Sequence, residues 1–177
     1  MTLLWMHGCD HISTTTMGGH MDWMLDPNNT NFSLSGGVFG QGAFNCSGGA
    51  DYAVIGFTPS SNITCGFWFI MHEFEQTQTL VQFHDVTGLG NNGRLVIDTY
   101  GVLRHERFTT VLGRASKALP VSTWHFLEWH LEISNSIGTS GSQIFVNGEP
   151  FLDLAAGTDT NHNAVNGELA QFFMVGS

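Results

Sequence analysis

From Trp124 to Ile133 the chain alternates between two sets of side chains. His125, Leu127, Trp129, Leu131 and Ile133 form one set, and Trp124, Phe126, Glu128, His130 and Glu132 form the other. A period of two is the signature of a strand with one buried side and one wetter side. The loop SNSIGTSGS follows, then Gln143-Ile144-Phe145-Val146 runs into Asn147-Gly148. Asn-Gly between apolar runs is a strong hairpin signal, because both residues of a type I′ turn need positive φ. The segment from Val121 to Leu154 therefore predicts strand, loop, strand, tight turn and strand, the middle of an antiparallel sheet.

The same pattern recurs along the chain. Leu3 to His11 predicts a first strand, and Ser13 to Gly19 is polar and small. Asn28 to Gly42 is rich in turn formers, and Asp51 to Phe57 alternates again. Ile63 to Phe74 is apolar on both faces, which predicts a central strand covered on both sides. Thr79 to Val86, then Arg94 to Tyr100 and Val102 to Phe108 around Gly101, predict a strand and a hairpin; Val111 to Leu119 is stopped by Pro120. Leu169 to Val175 predicts a last apolar strand. No amphipathic stretch of helical period reaches a stable length, and turns fall roughly every 8–12 residues, as in sandwiches and barrels. The expected architecture is all-β, an antiparallel two-sheet β-sandwich. It forms one domain over 1–177, with 1–30 as a leading strand and polar arm.

Composition narrows the function. The 177 residues are 42% hydrophobic with 14 Phe and 5 Trp, enough apolar surface to offset chain entropy. Five Lys+Arg against 15 Asp+Glu give a formal net charge of −10, which argues against nucleic acid and against anionic membranes as partners. Cys9, Cys46 and Cys65 form no CxxC pair and no disulfide framework. The opening MTLLWMHGCDH has no basic n-region, so no signal peptide is expected, and no apolar run approaches the about 20 residues of a membrane helix.

Several phrases carry a family likeness: GFWFIM, RLVIDTYGVL, VSTWHFLEWHLEI and GSQIFVNGEPFLDL. In that order the chain from Phe32 to Val175 resembles the concanavalin A-like lectin/laminin G-like jelly roll. The opening HGCDHI is similar to the short leading strand of versions encoded by tailed bacteriophages. The resemblance implies a jelly roll, and it specifies strands and turns rather than chemistry. Many such domains close with a further strand after the one ending at Val175, so an edge left open or completed by a neighbouring subunit is expected.

The candidate chemistry is sparse. Glycoside hydrolases with this fold carry E-x-D-x-x-E on one strand, because retaining cleavage needs two carboxyls about 5–5.5 Å apart. Glu73 and Glu75 match two of those positions, and Glu128, His130 and Glu132 share one face, but neither set is complete. His7, Cys9, Asp10, His11 and His20 crowd the N-terminal region without a second ligand pair of fixed spacing. Asp85, Asp98, Asp153 and Asp159 are loop carboxylates with no calcium-loop pattern. No G-x-S-x-G occurs, and GLGNNGR precedes no helix that would make it a phosphate loop. Catalytic residues, a metal site and a cofactor are therefore not expected. Trp5, Trp23 and Tyr100 are the aromatics placed to stack on a sugar.

The expected function is a non-enzymatic structural virion protein of a bacteriophage, made in the host cytoplasm and housed in the particle. Its partners would be copies of itself and other virion proteins. Two alternatives stand beside it: a module that binds host-surface glycan, and a glycan hydrolase or lyase with an incomplete acidic motif.

Overall fold

The computed structural model describes residues 23–25, 32–33, 43–44, 53–85, 91–134, 141–154, 157–160 and 170–175. Among the described residues thirteen strands occur in chain order: β1 (Trp23–Leu25), β2 (Phe32–Ser33), β3 (Ala43–Phe44), β4 (Ala53–Ser60), β5 (Asn62–Ile70), β6 (Gln78–Asp85) and β7 (Asn91–Ile97). They continue with β8 (Val102–Arg107), β9 (Thr110–Ala118), β10 (Trp124–Glu132), β11 (Gly141–Val146), β12 (Glu149–Leu154) and β13 (Ala170–Val175). The large sheet has the order β1-β4-β13-β6-β7-β8-β9, the small sheet β12-β11-β10-β5, and β2 pairs with β3. Every pairing is antiparallel. The protein is a jelly-roll β-sandwich.

Strand β10 follows its sequence pattern residue for residue. His125, Leu127, Trp129, Leu131 and Ile133 are all buried. Leu127, Trp129, Leu131 and Ile133 share one core with Val81, Phe83, Leu95, Ile97 and Leu103 of the large sheet. Trp129 is the centre. Its ring lies 5.0 Å from Phe83 and 5.2 Å from His105, and its indole N–H donates to Ser142 Oγ at 2.8 Å. That bond is what lets so large an amphipathic ring be fully enclosed. A Cβ on Gly93 would stand 2.9 Å from the indole, so the bare backbone there makes room for it. The hairpin after β11 also forms as expected, with Asn147 and Gly148 at φ 54° and 81°.

Two expectations fail. Strand β5 is apolar on both faces, yet among the described strands it lies at the edge of the small sheet, paired only with β10. Its outward Trp68 is 43% exposed. Apolar character on both sides therefore does not reflect cover on both sides. The last strand, β13, does not leave an open edge for a neighbour to complete. It inserts between β4 and β6 inside the large sheet, with Phe173 opposite Ile55 on one side and Phe83 on the other. The leading strand expected at Leu3 to His11 lies outside the described residues.

Candidate functional site

Residues directly opposite each other in an antiparallel pair project to the same side, so register assembles the outer face of the large sheet. Gln82 stands opposite Arg94, and Arg94 opposite Glu106. In the next row Val96 stands opposite Arg104, and Arg104 opposite Arg114. The inward neighbours Phe83, Leu95 and His105 belong to the core side, so this polar set faces away from it.

The set is tightly bonded. The Glu106 carboxylate accepts from Arg94 Nη2 through one oxygen and pairs with Arg104 Nη2 at 3.2 Å through the other. The Glu106 side chain is only 6% exposed, whereas the Arg94 and Arg104 side chains are 28% and 22% exposed. The Nε–H groups of Arg94 and Arg104 make no hydrogen bond within the protein. Arg114 pairs with Asp98, whose carboxylate also accepts the backbone N–H groups of Tyr100 and Val102 at 2.9 and 3.0 Å. Burial works to raise the Asp98 pKa. The Val102 and Tyr100 N–H bonds, with the Arg114 and Arg104 charges, outweigh it and hold the carboxyl below its ordinary value.

All five cationic residues of the chain, Arg94, Arg104, Arg107, Arg114 and Lys117, fall on β7, β8 and β9. The four strands of the small sheet carry none, and hold Glu128, Glu132, Glu149 and Asp153. The sandwich thus has a basic flank in an acidic chain. Glu106, Asp98 and Asp159 pair with the four arginines, so part of this gathered charge is balanced locally.

The outer face of the small sheet is different. Trp68 and Phe126 are cross-strand partners with ring centroids 5.3 Å apart. Beside them His130 Nε2 lies 2.6 Å from Glu128 Oε1, and its Nδ1 lies 3.0 Å from Thr64 Oγ1.

The residues singled out in the sequence are scattered. Trp5 lies outside the described residues, as does the side chain of Trp23, whose backbone forms part of β1. Tyr100 is 77% exposed at the tip of the β7–β8 hairpin and is not joined by another of the proposed aromatics within the described residues. Glu73 and Glu75 are exposed in the connection between β5 and β6. Among the described residues no cluster of three His, Cys, Asp or Glu side chains forms. Asp98 is engaged as above, and Asp159 pairs with Arg107. The crowded His7, Cys9, Asp10, His11 and His20 lie outside the described residues. Cys65 is a free thiol whose pKa burial pushes up, with the Glu128 charge adding to the effect.

No family model matches the sequence, and no curated protein matches it. Solved structures do share the fold. The alginate lyase Aly36B superposes with a TM-score of 0.55 at 12% identity over 74% of this chain, which spans 65% of that lyase's length. The glucanase SCLam, a non-specific endo-beta-1,3(4)-glucanase from family GH16, gives 0.52 at 12% identity over 88% of this chain and 73% of its own. The carbohydrate binding module CBM66 from Bacillus subtilis gives 0.51 at 12% identity, over 89% of this chain and 92% of its own. At such identity the likeness shows the fold, a concanavalin A-like jelly roll. It overturns the expectation of a protein without catalysis, because an alginate lyase and a glucanase are built on this same sandwich. That expectation rests in part on no catalytic set being complete, and the incomplete E-x-D-x-x-E pattern among them speaks only to retaining hydrolysis. None of the three similar structures is described as a virion component.

Proposed function

We propose that the outer face of the large sheet binds a carboxylated polysaccharide, and that the protein processes it by β-elimination. The observation that carries this reading is the gathering of every cation of the chain onto β7, β8 and β9, with Arg94, Arg104 and Arg114 on one face. Guanidinium groups fit carboxylates through paired N–H bonds, and the Arg94 and Arg104 side chains keep part of their surface open to solvent. The shared fold with an alginate lyase supports the same substrate class.

The chemistry asks for three services. A uronate carboxylate held by Arg94 and Arg104 has its charge neutralised, which acidifies the hydrogen on the adjacent carbon. A base removes that proton, the electrons form a double bond, the glycosidic C–O bond at the β-carbon breaks, and the leaving oxygen takes up a proton.

The test is affinity electrophoresis in polyuronate gels, read beside the ultraviolet absorbance of the unsaturated product. Wild-type protein should be retarded, and Arg94→Ala with Arg104→Ala should weaken retention at least tenfold. Arg114→Ala, at a more exposed position, should weaken it a few-fold. Wild-type protein that ignores polyuronate sinks the whole reading. Retention without an unsaturated product sinks its catalytic half.

A further inference from the structure

The small sheet presents a second surface, built from other residues and facing away from the arginines. Along its outer side the register runs in rows. Trp68 faces Phe126, Gly66 faces Glu128, Thr64 faces His130, and Asn62 faces Glu132. Glu128 also faces Phe145, and His130 faces Gln143, on the neighbouring strand β11.

Gly66 shapes this surface. A Cβ built on it would stand 3.0 Å from Phe126 Cζ, so the Phe126 ring rests on the strand where a side chain is missing. Trp68 is left standing beside it, tilted 48° to Phe126 and 43% exposed. A large indole held open to solvent next to a ring laid against the backbone makes a stepped aromatic platform. One row on, about 7 Å along the strand, stands Glu128, and a further row on, about 13 Å away, stand Thr64 and His130. Thr64 Oγ1, His130 and Glu128 are linked at 3.0 and 2.6 Å, and Phe145 meets the His130 ring edge-on at 5.7 Å. These contacts hold the imidazole and the carboxylate in place, while both remain partly exposed.

The charge on the surface selects its occupant. No Lys or Arg lies on β5, β10, β11 or β12, while Glu128, Glu132, Glu149 and Asp153 do. Nucleic acid and carboxylated glycan are therefore disfavoured. A second copy docked face to face would set like charges against each other. What remains is a neutral molecule with an apolar ring face for the indole and hydroxyls for Glu128, His130 and Gln143.

We propose that this face is a saccharide site for a neutral polysaccharide. It is independent of the arginine face and stands whether or not that face binds polyuronate. It would let the protein hold neutral and acidic glycans on opposite sides of one sandwich.

The experiment is affinity electrophoresis of the full chain in gels containing mixed-linkage β-glucan, galactomannan or levan, with polygalacturonate as the acidic comparator. At least one neutral polymer should retard the wild-type protein. Trp68→Ala should weaken that retention at least tenfold, Trp68→Phe should keep most of it, and Glu128→Gln should weaken it a few-fold. Arg94→Ala and Arg104→Ala should leave neutral binding unchanged, which separates this site from the arginine face. Absence of retention by all three neutral polymers overturns the proposal, as does full retention by Trp68→Ala. Sedimentation decides the remaining case: a wild-type dimer that Trp68→Ala converts to monomer makes the face a self-association surface and overturns the saccharide assignment.

Discussion

Arg94 on β7 and Glu106 on β8 stand directly opposite each other and join in an ion pair whose carboxylate is almost wholly enclosed. Arg104 closes on the same carboxylate from its own strand, two residues from Glu106. One anion therefore organises two cations on a sheet face, and each cation keeps part of its surface open to solvent. The arrangement fixes both guanidiniums against the sheet.

Replacing Glu106 by Gln tests that organisation. The change leaves two partly enclosed guanidiniums without their shared counter-charge. Because both are partly solvated, the expected cost is about 2 kcal/mol rather than the larger figure for a fully buried pair. Urea denaturation at neutral pH should show the midpoint fall without a change in slope. Unchanged stability would mean that solvent already screens the network.

His105 gives the sandwich a pH dependence of known sign. Burial beside Trp129 pushes its imidazole down to about 3, and its ring nitrogens make no hydrogen bond. The unfolded chain takes up this proton near the ordinary value of about 6.5, well before the folded protein does. The stabilising contribution is therefore complete above about pH 6.5 and is lost as pH falls toward 3, by at most about 1.4 kcal/mol per pH unit. His105→Leu should flatten the fall in stability between pH 6.5 and pH 4.5, measured by denaturant titration. An equal fall in both proteins would assign the acid sensitivity to carboxylates instead.

Gly148 isolates a backbone effect. It sits at φ 81°, and a Cβ there would meet nothing within 4 Å. Gly148→Val therefore meets no clash, only a conformation that a β-branched residue resists. The expected loss is about 1 kcal/mol or more, with a matching drop in melting temperature. Gly148→Asn, which tolerates the left-handed region, should recover most of it. Valine and asparagine variants of equal stability would contradict a turn-based cause.

The parts of the fold readable in the sequence were those set by neighbours in the chain. Strand β10 announces its buried side through strict alternation, and Asn147-Gly148 announces its turn through local backbone chemistry. Strand β5 misleads because Trp68 is apolar yet faces outward beside Phe126 of β10, and periodicity records polarity rather than cover. The arginine face was hidden for a related reason. Arg94, Arg104 and Arg114 lie on three strands, and only the pairing register brings them side by side. The one local trace is Arg104 and Glu106 at alternate positions of β8, a spacing too common to signal a site. Trp5, Trp23 and Tyr100 lie outside the dense apolar runs, whereas the exposed Trp68 lies inside one, where sequence alone marks it as core.

The place of β13 bears on how the molecule assembles. It joins β1 and β4 on one side to β6, β7, β8 and β9 on the other, and in the described sheet no other strand bridges them. Hairpins such as β7–β8 and β11–β12 can zip locally as soon as their residues emerge during synthesis. The larger sheet must wait for residues 170–175, and the entropy of closing that long loop is lost before its pairings give any return. Until then the flanks of β4 and β6 expose unpaired backbone, which makes the late interval, rather than the finished sandwich, the stage most open to mispairing between chains.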